Sequence, residues 1–243
     1  MNIDEKSAEK GGLITALFNV GAHLGYSKGR RHASMKNLIF GSKGKTDIID
    51  LTKTEKIMEE SLAFVRAQGA HSKTLLFVGG KPEVRSLVRE VAEDLDMPYV
   101  AGRWLGGTLT NFTEIKKRLK RLADLTADRD AGTLVQKYTK KERLLIDREI
   151  TDLEEKFGGI SALERVPDVL VAVDTRAEAI AVREANTLGI PVVGIMNSDC
   201  DRGVVTHPLI GNDASRESVQ FFLKQVVDAY REGAKGDVAT DTK

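Results

Sequence analysis

Residues 74–78 read TLLFV and run into Gly79-Gly80; residues 169–173 read VLVAV. Apart from Thr74 both runs are apolar throughout, without the polar alternation of a strand that has one wet face. Strands of this kind are covered on both faces, the condition of a parallel sheet between two helix layers. Working outward, Pro191–Met196 (PVVGIM) is a third such run and Pro98–Ala101 a shorter candidate. Helix-length segments separate them, over 82–95, 177–187 and 215–232. Short apolar strands alternating with helices give an α/β class.

The flanks read differently. Leu13, Ile14, Ala16, Leu17 and Val20 form an apolar stripe that predicts a helix over 11–20, ended near Gly21. Asn37–Phe40 and Thr46–Leu51 read as a hairpin turning through Gly41 and Gly44. Thr52, with Glu55 three residues on, reads as a capping box opening a helix to Gln68. From 107 to 158 the rhythm changes: Leu109, Phe112, Ile115, Leu119, Leu122 and Leu125 recur at helical spacing, as do Ile146, Ile150, Leu153 and Phe157. Asp128–Gly132 separates the two sets, which predicts an antiparallel helical hairpin inserted in the α/β unit. The expected organisation is therefore 1–106 and 159–232 as one discontinuous domain, 107–158 as the hairpin, and 233–243 as a disordered polar tail.

The chain has 243 residues, a net charge of +1 and a single cysteine, Cys200. No intramolecular disulfide can form, which suits a reducing, intracellular compartment. The polar start MNIDEKSAEKGG has no apolar core of a secretory signal, and no apolar run reaches the ~18 residues of a membrane helix. The small net charge hides a division. Residues 1–122 carry 21 Lys and Arg against 14 Asp and Glu, a net of +7, and residues 123–243 carry 16 against 22, a net of −6.

Three constellations could carry chemistry: a pair of glycine turns of the nucleotide-binding kind, a cluster of metal-ligand types, and a basic stretch. Gly44-Lys45-Thr46 resembles the end of a phosphate loop, but its first glycine would fall on Ile39 and a strand-like TDIIDL follows where a helix is required. Gly79-Gly80-Lys81 is a strand-to-helix turn without the rest of a dinucleotide fingerprint. Asp199, Cys200, Asp201 and His207 offer metal-ligand types without paired spacing, so neither a metal nor a catalytic residue is expected. The third is the stretch 21–45, with Lys28, Arg30, Arg31, Lys36, Lys43 and Lys45 and no acid. His23, Tyr26 and His32 add rings that can stack or hydrogen-bond, and five glycines allow close backbone approach. Cations set on phosphates release counterions, so this stretch is expected to contact RNA. A second basic group, Lys116, Lys117, Arg118, Lys120 and Arg121, opens the hairpin and follows Arg103 and Trp104.

The segments NVGAHLGYSKGRRHASMKNLIFGSKGKTDIIDLTKT, TLLFVGGK, PYVAGRWLGGTLTNFTEIKKR, PDVLVAVD, GIPVVGIMNSDCD and PLIGNDAS occur in that order. Together they resemble the bacterial form of the small ribosomal subunit protein two family, over about residues 12–232. The chain departs from that pattern at Tyr26–Arg31, where the family often carries a histidine and a tryptophan–proline pattern. The resemblance implies a flavodoxin-like three-layer α/β domain with a parallel sheet and an inserted coiled-coil hairpin. It implies a cytoplasmic structural constituent of the small ribosomal subunit, binding its ribosomal RNA between head and body. Late assembly, neighbouring small-subunit proteins and recruitment of ribosomal protein one are implied as well. No enzymatic activity, cofactor, small-molecule substrate or membrane partner is implied. Carried onto this sequence, the expected RNA contacts are His23, Lys28, Arg30, Arg31, His32, Lys36, Lys43, Lys45, Arg103, Trp104, Thr108, Asn111, Lys116 and Lys117. Trp104 is ambiguous, since a ring after a strand is more often core packing than base stacking. Reversing Arg30 and Arg31 to glutamate is expected to weaken RNA binding and leave the core folded.

Overall fold

The computed structural model describes residues 6–237. Helix α1 (Lys6–Asn19) breaks at Gly12, where φ is 69°. Strand β1 (Leu24–Ser27) follows, then two 3-10 turns over 28–30 and 33–38, and the hairpin β2 (Ile39–Lys43) and β3 (Thr46–Ile49). The hairpin turns through Gly44-Lys45 between the paired Lys43 and Thr46, with φ of 62° at Gly44. A positive φ at the first position of a two-residue turn is what glycine permits there. Strand β1 was not expected; it is short and half-exposed, and it joins β3 to make a three-stranded antiparallel sheet in the order β1-β3-β2.

Helix α2 (Leu51–Ala70) is capped by Asp50, whose Oδ1 accepts from the Thr52 amide at 3.1 Å. The expected capping box from Thr52 to Glu55 is therefore displaced: Thr52 lies in the first turn. Strand β4 (Leu75–Val78), α3 (Arg85–Asp94) and β5 (Tyr99–Val100) come next. The middle of the chain forms α4 (Phe112–Asp130), the short α5 (Thr133–Lys137) and α6 (Lys140–Phe157). Asp128 to Asp130 thus belong to α4, while Leu109 lies in the loop before it. Helix α6 carries the chain's complete capping box among the described residues, Thr139 with Glu142. Strand β6 (Val169–Val173), α7 (Ala179–Thr187), β7 (Val192–Met196), β8 (His207–Ile210) and α8 (Arg216–Asp237) complete the chain. The last helix passes the expected end at 232; residues 238–243 of the expected tail lie outside the described residues. Strand β8 contains Pro208, which lacks a donor and is tolerated because β8 is an edge strand.

The larger sheet has the order β5-β4-β6-β7-β8, parallel throughout. Numbered within the sheet this is 2-1-3-4-5, the flavodoxin-like doubly wound order. Strands β4, β6 and β7 are buried at every residue. Alternate residues serve opposite cores: Leu75, Phe77, Val169 and Val171 meet α2, α3 and α8, whereas Leu76, Val78, Leu170 and Ala172 share a core with α4, α6 and α7. Helices α4 and α6 run back on one another, with Leu122 and Leu125 of one and Ile150 and Leu153 of the other buried and Arg121 bonded to Glu149 at 3.0 Å. Their apolar stripes are continuous with the sheet's core. Helices α2 and α8 cross unusually closely. A Cβ on Gly69 would lie 2.1 Å from the Tyr230 carbonyl oxygen, and one on Gly233 would lie 1.9 Å from that of Arg66. No helix among the described residues is long and apolar enough to cross a membrane.

Candidate nucleic-acid interface

The antiparallel sheet and its 3-10 turns dock on the carboxyl ends of the parallel strands. The Tyr26 amide donates to Ser198 Oγ and the His32 amide to the Ser198 carbonyl, both at 2.9 Å. Arg30 donates to Asp199 Oδ2 at 2.8 Å. Arg31 clamps Asp47 through two guanidinium nitrogens, Nε at 2.6 Å from Oδ2, and Ser42 Oγ donates to the same carboxylate at 2.8 Å. Asp47 is fully buried. Its hydrogen bonds from Arg31 outweigh the burial and hold it below the usual carboxylate range. The cations of the acid-free stretch therefore split into two groups. Arg30 and Arg31 are tied to buried acids, while Lys28, Lys36, Lys43 and Lys45 are exposed and make no ion pair among the described residues.

The loop from Arg103 to Asn111 wraps one carboxylate. Glu184 of α7 is 7% exposed. It accepts from the amides of Gly107, Leu109 and Thr110, from Thr110 Oγ1, and from Trp104 Nε1 at 3.1 Å. Burial alone would raise this carboxyl, but the amide donors outweigh it and hold it below the glutamate range. Trp104 and Thr108 are buried, and Thr108 Oγ1 donates to the Leu105 carbonyl. Arg103 and Asn111 remain on the surface, beside Lys116 and Lys117 in the first turns of α4. Lys117 pairs with Glu114 at 2.6 Å, and the Lys116 ammonium lies 5.5 Å from the Phe112 ring centre.

Sheets of this topology bind ligands where the strand order reverses, outside the carboxyl ends. Here that point lies between β4 and β6, and this chain's own residues fill it. Lys81 pairs with Asp174 and reaches Asp213 at 3.6 Å, and its Nζ donates to the Tyr26 hydroxyl at 3.3 Å. Burial alone would lower the Lys81 ammonium, but Asp213 and Asp174 outweigh it and hold it above the lysine range. Burial, and then Asp174, push Asp213 up to about 6. Asp174, Cys200 and Asp213 stand within 4.8 Å of one another, with Lys81 already supplying a cation to the two carboxylates. Burial pushes the Cys200 thiol up to about 12, so it stays protonated and is no nucleophile. The grouping of Asp199, Cys200, Asp201 and His207 does not form. His207 opens β8 at the opposite end of the sheet, stacked on Phe64 at 3.6 Å.

Comparison with known proteins yields one family. The pattern described as Ribosomal protein S2 matches residues 17–233. The chain belongs to the ribosomal protein S2 family. The small ribosomal subunit protein uS2 of Wolinella succinogenes is 39% identical over 217 residues, 89% of this chain and 80% of that protein. That of an Arthrobacter species is 42% identical over 231 residues, 93% of this chain and 78% of that protein. That of Dictyoglomus turgidum is 39% identical over 221 residues, covering 91% and 89%. S2-family proteins are structural rather than enzymatic.

In this S2-family chain the residues singled out in the sequence fall into three classes. Lys28, Lys36, Lys43, Lys45, Arg103, Asn111, Lys116 and Lys117 are exposed. Arg30 and His32 are partly exposed but engaged: His32 Nδ1 lies 2.8 Å from Ser34 Oγ and 3.6 Å from Asp201. Trp104 and Thr108 are inside, Arg31 is locked to Asp47, and His23 stacks on Phe18 at 4.4 Å. Trp104 and Thr108 therefore position the loop and leave the set of candidate contacts. The expectation that Arg30 and Arg31 can be reversed without harm to the core is corrected too, because glutamates there would face the buried Asp199 and Asp47. Glu184, Arg176 and Arg183 were missed. Glu184 and Arg183 lie on α7 and Arg176 in the turn before it, in a segment, TRAEAIAVRE, that the sequence marks only as the helix following a core strand.

Proposed function

We propose that this chain is a structural constituent of the small ribosomal subunit in the cytoplasm, and that it binds small-subunit ribosomal RNA between head and body. The observation that carries the reading is the split of the acid-free stretch. Its arginines are anchored on buried acids and fix the segment's shape, while Lys28, Lys36, Lys43 and Lys45 stay exposed with no ion pair among the described residues. A rigid loop presenting free ammonium groups suits a phosphate backbone, where each contact is electrostatic. Arg103 and Lys116 extend the same kind of surface to the start of α4, with Asn111 and the Glu114-paired Lys117 exposed beside them. We assign the helical pair within 107–158 to an insertion whose inner stripe joins the sheet's core. It and the acidic C-terminal half support contacts with neighbouring small-subunit proteins, late assembly and recruitment of ribosomal protein one.

The test uses naked small-subunit ribosomal RNA. Replacing Lys28, Lys36, Lys43 and Lys45 by alanine together leaves the circular dichroism and unfolding midpoint unchanged. It lowers affinity about a hundredfold at 0.15 M salt and reduces the slope of log affinity against log salt by about 3. Unaltered affinity and slope would remove this face from the interface.

A further inference from the structure

Between the 3-10 turns that follow β1 and the flank of α7 lies a cavity of about 730 Å3. Its lining is mixed in character: the cations Arg30, Arg176 and Arg183 stand among the apolar Ala179, Val182 and Val204, with Ala179, Val182 and Arg183 all on α7. The Arg30 guanidinium is held from two directions, 4.2 Å from the centre of the Tyr26 ring and 2.8 Å from Asp199 Oδ2. Arg176, in the turn before α7, donates to that same oxygen at 2.8 Å. The Asp199 side chain is only 2% exposed, whereas Arg30 and Arg176 keep 52% and 54% of theirs in the open. One buried carboxylate thus orients two guanidinium groups and neutralises one of them. Arg183 adds a further cation that makes no ion pair among the described residues. Asp201, the other acid at the rim, faces His32 at 3.6 Å and caps the turn over 202–204.

We propose that this cavity receives one nucleoside monophosphate unit, an everted residue of the bound RNA strand. Its phosphate meets the surplus guanidinium charge and its ring system lies against Ala179, Val182 and Val204. The inference rests on the RNA reading above and deepens it. A bare phosphate would leave the apolar wall without a function, and a paired helix would offer no free ring to it. The volume falls in the usual ~300–1,000 Å3 range of sites for organic ligands. Unstacked bases are commonly held against apolar surface and guanidinium planes. Arg30, already stacked on Tyr26, presents such a plane without further loss of side-chain freedom.

The experiment uses the full chain with labelled methyl groups. It is titrated with the four nucleoside 5′-monophosphates, with ribose 5-phosphate and with inorganic phosphate. The expected result is a saturating shift of the Val182 and Val204 methyls with at least one nucleotide and with neither of the base-free phosphates. Ala179→Trp, at an exposed position, fills the mouth with an indole ring while leaving Arg30, Arg176 and Asp199 in the chain, and abolishes the shift. Arg183→Ala, at an exposed helix position, weakens it. In parallel, Ala179→Trp lowers affinity for naked small-subunit RNA about tenfold, the worth of one stacked base. No methyl shift with any nucleotide overturns the proposal, whatever the RNA does. A shift combined with unchanged RNA affinity in Ala179→Trp makes the ligand a free nucleotide and overturns the everted residue. A wild-type chain that shifts with nucleotide but binds no small-subunit RNA sinks the RNA reading and leaves the cavity's nucleotide chemistry standing.

Discussion

Arg31 and Lys28 are three residues apart in an acid-free stretch, yet they answer to different physics. Asp47, fully buried, is the ion-pair partner of Arg31. Removing one member of such a pair strands the other, so Arg31→Ala is expected to cost on the order of 3 kcal/mol, read as a lower urea midpoint. Lys28→Ala should leave that midpoint within about 0.5 kcal/mol, because the side chain is exposed and unpaired. Glu184 is the second residue on which local structure depends. Glu184→Gln replaces one acceptor oxygen by a donor facing backbone amides, and is expected to cost about 3 kcal/mol at pH 7. Its carboxyl is held low in the folded protein. The contribution is therefore fully present above the unfolded value of about 4.3 and disappears as pH falls through the folded value. The gap between wild type and variant, followed by urea titration from pH 7 to pH 3, should shrink as the pH falls below about 4. A gap that persisted at pH 3 would mean that shape, not charge, holds the loop.

Among the elements, the crossing of α2 and α8 depends on two glycines that helix propensity would discourage. Propensity alone says that Gly→Ala in a helix stabilises by about 1 kcal/mol. At Gly69 and Gly233 the added methyl meets the backbone of the other helix, which cannot swing aside as a side chain can. Gly69→Ala and Gly233→Ala are each expected to lower stability by about 2–3 kcal/mol. Gly236, in the same helix as Gly233, has nothing within 4 Å. Gly236→Ala should be neutral or stabilising by up to about 1 kcal/mol, measured in the same thermal or urea scans. Equal outcomes at the three positions would contradict the close crossing.

Over the whole molecule, the near-zero net charge conceals a basic N-terminal half and an acidic C-terminal half. The basic half ends in the first turns of α4, where Lys116, Arg118 and Lys120 are exposed. If these cations extend the lysine rim, replacing all three with alanine lowers the salt slope of ribosomal RNA binding by about 2. Affinity then falls in step, with no loss of helix by circular dichroism. A slope unchanged within error would assign these charges to solvent and limit the interface to the docked antiparallel sheet.

The core strands were legible in the sequence because full burial on both faces leaves no polar position: TLLFV, VLVAV and PVVGIM could hardly be anything else. The helices α4 and α6 were legible for a different reason, a one-sided apolar stripe that repeats at helical period. Strands β1 and β8 were not, since LGYS is half-exposed and HPLI contains a proline. The basic character of residues 21–45, and the ordered segments that resemble the S2 family, were likewise present in the bare sequence. Which cations are free was not. Arg30 finds Asp199 across 169 positions of chain, Trp104 finds Glu184 across 80, and Arg30 and Arg176 share one carboxylate. Local sequence determines period and charge because both arise within a few residues of chain. Pairing of buried acids with distant bases is decided only when the sheet brings its carboxyl ends under the N-terminal segment, since the desolvation that makes each pair obligatory exists only in the folded state.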